Sequence, residues 1–364
     1  MSEFAELLAA ARAPLLLLGG MGWTAAARDQ IAVFAEGLNL PTAVSFRRQD
    51  LIDNDHPCFV GSLGVGPDPG LVGYAAAADV LIVLGGQVGE IETVRFQKLI
   101  DGGPERRLVH IAPDERMFGK VIEPSLAICT DVNSFCAALT ALDMETLPGW
   151  PDALAGLRAG YEAFHRPVDF PGRENPGTAV AAMSDLVPRD TVVTMGAGNY
   201  THFVLRHHRY RAAHTLLGPI NAPMGSSIPA AIAAAQHYPG REVLAYAGDG
   251  CFLMNAQELV MAAKQNLRLT VIIFNNGLYG SIRMHQELNL PGRHIATDID
   301  NPDFVEFAGS MNIPAVRIEH VGELTDAYRK LRGKHAGPVL IEMLTDPEII
   351  TPQATVEQIR QRAS

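Results

Sequence analysis

The sequence predicts an α/β protein made of two doubly wound, parallel-sheet domains. Three observations predict it. Short apolar runs of strand length alternate with helical segments along almost the whole chain. The alternation breaks once, over a proline-punctuated stretch near the middle, and then resumes. The 364 residues, 48% of them hydrophobic, suffice for two cores of ordinary domain size, ~100–200 residues each.

In chain order, "MSEFAELLAAARAPLLLLGG" reads as an amphipathic helix feeding a buried strand. Glu3 and Glu6 stand where a secretory leader is positive, and Arg12 and Pro14 interrupt the apolar run, so no signal peptide is expected. Thr24–Leu38 reads as a helix and "PTAVSF" as a strand. "AAADVLIVLGG" is a helix end and strand, and "RLVHIAPD" a strand opening into a turn. "PGWPDALAGLRAGYEAFHRPVDFPGRENPG" is a helix with loop flanks and a linker. This places one domain at 1–150, a linker at 151–176 and a second domain at 177–364. In the latter the alternation runs from "TAVAAMSDLVPRDTVVTMGAGN" to "GPVLIEMLTD". Strands separated by helices imply parallel sheets.

Composition excludes some functions. A net charge of −11 disfavours nucleic acid as a partner, which calls for a basic face. No stretch reaches the ~20 apolar residues of a membrane span. Cys58, Cys129, Cys136 and Cys251 show no CxxC spacing and read as buried, reduced thiols of a cytoplasmic protein. "HFVLRHHRYR" gathers His202, His207 and His208 with three arginines. A solvated basic face is the reading for it, because no metal-ligand spacing recurs. "GGMG" at Gly19–Gly22 follows a strand, but no full GxGxxG with an acidic partner accompanies it.

The chemistry concentrates between Ala245 and Gly280. Asp249 follows the strand "REVLAYAG" with glycine on each side, which permits a sharp turn and close backbone approach to a ligand. Asn255-Ala256-Gln257-Glu258 then resembles a capped helix start. "LRLTVIIF" is the next buried strand, and Asn276 sits just past its end, 27 residues after Asp249. In a parallel sheet both residues reach the carboxyl edge, where open α/β folds bind ligands. A carboxylate and a carboxamide oxygen there suit a hard cation such as Mg²⁺, which takes one or two protein groups plus substrate phosphates. Each turn alone would be an ordinary loop; the composite spacing is what carries the reading.

"GDGCFLMNAQEL…NNGLYG" resembles the thiamine diphosphate signature. Its surroundings are similar to the pyruvate-oxidase-like branch, which includes acetolactate synthase, benzoylformate decarboxylase and 2-hydroxyacyl lyases. "MGSSIPAAIAAAQHYPGREVLAYAGDG" matches the stretch upstream, "TMGAGNYTHF" resembles an earlier diphosphate-contacting loop, and residues 11–142 look like the family's Rossmann-like middle domain. The resemblance implies thiamine diphosphate and Mg²⁺ as cofactors. Asp249, Asn276 and the Leu278 carbonyl would ligate the cation. Gly198, Asn199, Tyr200, Gly248, Gly250, Cys251, Tyr279 and Gly280 would hold the cofactor. Cys251 stands where the family more often has Ser or Ala. Met224 would prop the cofactor in its bent form, so that its 4′-imino nitrogen reaches the C2 proton. The Ala222 carbonyl would accept from the 4′-amino group. Gly is frequent at that position in the family, and Pro223 is a further departure. For the middle domain an empty, structural fold is preferred, with FAD the alternative.

The family's chemistry also needs a glutamate against N1′ of the aminopyrimidine, carried by a pyrimidine-binding domain. Residues 1–160 hold no segment resembling that domain, and no glutamate stands in a matching context. A separate small subunit in a heterotetramer is the preferred reading; a chain that works without it, or a truncation, are the alternatives. For substrate, a small 2-oxo acid, the resemblance singles out Ile282, His285 and Gln286. Ile282 replaces the acid of simple decarboxylases and leans toward carboligation over aldehyde release. Ile91 and His285 replace the arginine and tryptophan expected of biosynthetic acetolactate synthase, so acetolactate-synthase-like describes ancestry better than substrate. A 2-oxo acid decarboxylase, a 2-hydroxyacyl lyase or a non-catalytic cofactor-holding subunit stands as the alternative.

Overall fold

Parallel strands need crossovers of a dozen or more residues, and the helical segments between the apolar runs supply them. In the computed structural model, which describes residues 1–99 and 105–363, the strands form two six-stranded sheets, every paired strand parallel to its neighbour. The chain divides into two compact units. Met1–His165 with Tyr210–His214 make the first, and Arg166–Arg209 with Thr215–Ser364 the second.

The first sheet comprises β1 (Pro14–Leu18), β2 (Thr42–Ser45), β3 (Phe59–Leu63), β4 (Val80–Leu84), β5 (Arg107–Ala112) and β6 (Leu126–Cys129), in the order β3-β2-β1-β4-β5-β6. This is the Rossmann-type order, whose switch point lies between β1 and β4. The glycines of "GGMG" sit there. A Cβ on Gly20 would lie 1.9 Å from the Gly85 oxygen, and one on Gly19 would lie 2.8 Å from Gly86 Cα. Backbone pressed on backbone is what these glycines permit. The expected N-terminal helix spans Ser2–Ala9 and buries Phe4 and Leu8. The expected helix at Thr24–Leu38 spans Ala25–Leu38, with Thr24 Oγ1 accepting from the Ala27 N–H as its cap. Helix Pro151–His165 packs on β3, the Tyr161 ring edge-on to Phe59 at 4.9 Å.

The second sheet comprises β7 (Val192–Thr194), β8 (Leu216–Leu217), β9 (Val243–Gly248), β10 (Thr270–Asn275), β11 (Ala315–Ile318) and β12 (Val339–Leu344), in the order β11-β12-β10-β9-β7-β8. Central β9 and β10 are buried on both faces, as their unbroken apolar runs require.

Three expectations are corrected here. "HFVLRHHRYR" is not a solvated face. Helix Tyr200–His207 packs on helix Pro176–Leu186, and His207, His208 and Tyr210 are buried. A Cβ on Gly177 would come within 2.6 Å of the His207 ring, so that glycine makes room for the imidazole. Asn255 does not cap a helix. Its side chain donates to the Gly225 carbonyl at 3.2 Å, and Ala256–Glu258 forms a 3₁₀ turn before helix Leu259–Lys264. Of the four free thiols Cys129 is exposed rather than buried, because β6 is an edge strand. Burial pushes the Cys58 and Cys136 thiols up to about 11 and about 12.

Candidate active site

Adjacent parallel strands end together, and β9 and β10 pair with Phe274 opposite Gly248. Asp249 and the Asn275–Asn276 pair therefore leave the sheet side by side at its carboxyl edge. Asp249 is 2% exposed. Its Oδ1 accepts the Gly250 N–H at 2.8 Å; its Oδ2 accepts the Gly277 N–H at 2.8 Å and Asn301 Nδ2 at 2.9 Å. Burial pushes its pKa above the usual carboxylate value, and these amide donors offset that only in part. No lysine, arginine or histidine among the described residues pairs with it. A buried carboxylate held by amides alone lacks a counter-charge, which a divalent cation could supply.

Asn276 Oδ1 accepts the Leu278 N–H at 3.1 Å, and the Leu278 carbonyl accepts the Gly280 N–H at 2.9 Å. Each oxygen keeps a second lone pair for a ligand. The loop is braced from outside: Tyr279 N–H donates to the Thr297 carbonyl and Ile299 N–H to that of Gly277, both at 2.8 Å.

Two helices start at the same edge, Tyr200–His207 and Gly280–Asn289, and neither has a side-chain cap. Asn199, at the first cap position, spends its Oδ1 on the Ser281 hydroxyl at 2.8 Å and its Nδ2 on Met284 Sδ at 3.6 Å. That bridge joins the two helix starts where they line the cavity; the Gly280 N–H is held by the Leu278 carbonyl, and both starts turn their positive ends toward an anion there. Gly198 supplies φ 128° just before. Cys251 knits the loops from beneath. Its sulfur accepts the Gly225 N–H at 3.2 Å and lies 3.5 Å from the Tyr200 hydroxyl, which accepts the Gly196 N–H at 2.7 Å.

One cavity of about 210 Å³ unites these groups. Of the expected residues, Gly198, Asn199, Tyr200, Met224, Gly248, Asp249, Gly250, Cys251, Asn276, Leu278, Tyr279, Gly280 and Ile282 line it. Met224 is 39% exposed and Ile282 53% exposed. Ala222 lies outside the lining, two residues before Met224, with φ 47°. His285 and Gln286 also lie outside it. His285 is exposed, and Gln286 is spent on both backbone groups of Ile295. Ile91 belongs to the first unit. Ser281, Thr345, Ile349 and Ile350, which line the cavity, and Asn301 lie outside the residues the sequence singles out. The β12 run predicted at "GPVLIEMLTD" points to the same edge and is the signal for Thr345. The donor set fits thiamine diphosphate with its cation: uncapped helix starts for the diphosphate and an uncompensated carboxylate for the metal.

The fold and this site define a thiamine pyrophosphate enzyme, and sequence comparison agrees. Residues 1–139 match the family model "Thiamine pyrophosphate enzyme, central domain", and residues 196–343 match "Thiamine pyrophosphate enzyme, C-terminal TPP binding domain". The chain belongs to the thiamine pyrophosphate enzymes and carries these two domains of the family. Among curated relatives it is similar to acetolactate synthase of Mycobacterium bovis, 29% identical over 355 residues, 94% of this chain and 57% of the relative. It is also similar to the acetolactate synthase large subunit of Corynebacterium glutamicum, 27% identical, covering 93% and 55%. Chloroplastic acetolactate synthase 2 of Zea mays is 28% identical, covering 94% and 56%. The chain thus spans a little over half the length of these relatives. No helix of the described residues is long and apolar enough to cross a membrane.

Proposed function

We propose that this chain is the large subunit of a thiamine diphosphate- and Mg²⁺-dependent, acetolactate-synthase-like enzyme. It would decarboxylate a 2-oxo acid and ligate the resulting acyl unit to a carbonyl acceptor. The observation that carries the reading is the single cavity at the sheet's carboxyl edge, where Asp249, Asn276, Met224 and two uncapped helix starts converge. Bound thiamine diphosphate supplies the electron sink for a carbanion equivalent. Asp249, Asn276 and the Leu278 carbonyl would hold the cation, and the starts of Tyr200–His207 and Gly280–Asn289 would bind the diphosphate. Met224 would fix the cofactor's conformation, and Ile282 would keep the reacting face apolar. The only carboxylate among the lining residues is Asp249, so no acid there is placed to deliver a proton to the acyl unit and release aldehyde. That favours ligation over decarboxylation alone. The glutamate that activates the aminopyrimidine would come from a separate pyrimidine-binding subunit.

Titration calorimetry with thiamine diphosphate, with and without Mg²⁺, tests the reading. Binding should require the cation and should vanish in Asp249→Ala, which loses the buried charge. Metal-independent binding, or binding retained by Asp249→Ala, would refute it.

A further inference from the structure

Asp249 is the end of a chain of side chains that runs beyond the sequence motif. Asn301, 52 residues further on and immediately before Pro302, turns its amide back toward the sheet edge. Its Nδ2 donates to Asp249 Oδ2 and to Asn275 Oδ1, both at 2.9 Å. Asn275 Nδ2 donates to Glu342 Oε1 on β12 at 2.7 Å. Glu342 is buried, and its Oε2 accepts Arg317 Nε on β11 at 2.8 Å. Arg317 also reaches Asp303, 3.1 Å away, on the turn that follows Asn301. Two carboxamides thus tie the candidate cation ligand to buried Glu342, two strands away on β12, and through it to the exposed Arg317 on edge strand β11.

The arrangement discriminates between the two carboxylate oxygens. Oδ2 takes two donors, Gly277 N–H and Asn301 Nδ2, and so fills both its lone pairs; Oδ1 takes the Gly250 N–H. A second observation points to a ligand. Asn301 Oδ1 is buried with no hydrogen-bond partner, although buried amide oxygens are nearly always satisfied. Mg²⁺ keeps part of its water shell when protein-bound, and such a water is a donor of the right kind.

We propose that Asn301 is a positioning residue for the cation site: it saturates Asp249 Oδ2, so that Oδ1 is presented to the metal. The inference rests on the thiamine diphosphate–Mg²⁺ reading above. Outer-shell partners of this kind change metal affinity by about 10–100-fold when removed. The 364-residue chain and its Asn301→Ala variant are titrated with Mn²⁺, a paramagnetic stand-in for Mg²⁺, in the presence of thiamine diphosphate. Free Mn²⁺ is read by electron paramagnetic resonance. Asn301→Ala should weaken Mn²⁺ retention by at least ~10-fold, while the cofactor-free protein melts within about 3 °C of the wild type. Should Asn301→Ala not fold, Asn301→Ser, polar but too short to reach Asp249, replaces it with the same expectation. Unchanged Mn²⁺ affinity in a folded variant, with or without a lowered melting temperature, overturns the proposal. Absence of Mn²⁺ retention by the wild type overturns the cofactor reading, and this inference with it.

Discussion

Ala222 holds φ at 47° in the loop that leads to Met224, a conformation in which a Cβ is crowded by the following carbonyl. Its backbone N–H donates to the Pro219 carbonyl at 3.0 Å, which fixes the turn. Ala222→Gly should therefore stabilise the cofactor-free protein by roughly 1 kcal/mol, the left-handed strain outweighing glycine's entropy in the unfolded chain. Denaturant midpoints of the two proteins check this; a lower midpoint for the glycine variant contradicts it. The departure at this position was visible in the sequence, but its strain is a backbone property that only the structure displays. Asp249 and Asn276 were legible because each sits beside glycine at the end of an apolar run. Asn301 was not, because an Asn-Pro pair reads as a turn and its partner lies 52 residues back.

Helix Gly280–Asn289 contributes Gly280, Ser281 and Ile282 to the cavity, and the C-terminal helix Val356–Ala363 fastens it. The fastening is Glu287, whose side chain is solvent-free. It accepts Arg360 Nε and a terminal Arg360 nitrogen at 2.8 Å each, the Gly292 N–H at 2.8 Å and Arg283 Nε at 2.9 Å. The Arg360 hydrogen bonds, with those from Gly292 and Arg283, outweigh burial and hold this carboxyl well below the usual range. A depressed folded value means the stabilisation is fully present above the ordinary glutamate value of about 4.3 and fades only as pH falls below it toward the folded value. Arg360→Ala should loosen the C-terminal helix by roughly 1.5 kcal/mol, since its guanidinium is partly solvated. Hydrogen exchange over residues 356–363 at neutral pH should then accelerate, and unchanged exchange contradicts the fastening. At this scale the strands with unbroken buried apolar runs were legible, and β3, β6, β8 and β11 were not. Gly61 and Ser62 interrupt β3, β6 alternates its exposure along a sheet edge, β8 has two residues, and β11 is a short edge strand.

For the whole molecule, the cavity is lined by the candidate cation ligands and the candidate prop Met224, with one carboxylate and no glutamate among its lining residues. On the proposed reading, a glutamate against the aminopyrimidine would act by a charge-assisted hydrogen bond in a desolvated cleft, and its loss would cost several orders of magnitude in rate. This chain alone should turn over 2-oxo acids barely above background. A second α/β subunit of ~100–200 residues should restore activity, and the same subunit with its essential Glu changed to Gln should not. Full turnover by the chain alone contradicts the two-subunit reading. With the pair assembled, a panel of 2-oxo acids and carbonyl acceptors should give ligation products; free aldehyde throughout would assign the lyase or decarboxylase instead. Two α/β domains were legible from the alternating pattern, and the family from the signature. The substrate was not, because of the residues singled out for it, Ile282, His285 and Gln286, only Ile282 lines the cavity, and one apolar side chain does not name a 2-oxo acid.

The pentapeptide Tyr210–His214 belongs with the first unit although the chain on both sides of it belongs to the second. Tyr210 exchanges both backbone bonds with Asn54, its N–H to Asn54 Oδ1 at 2.9 Å and its carbonyl to the Asn54 N–H at 3.0 Å, and Arg211 Nε pairs with Asp55 at 2.8 Å. The chain therefore passes between units three times, not once. For anyone dissecting the protein, a single scissile site after His165 yields two fragments of which one lacks its own plug and the other carries it. Clean separation needs the pentapeptide grafted onto the amino-terminal fragment and its gap in the other closed by a short loop, so domain borders drawn as one line across the gene misstate how this molecule is partitioned.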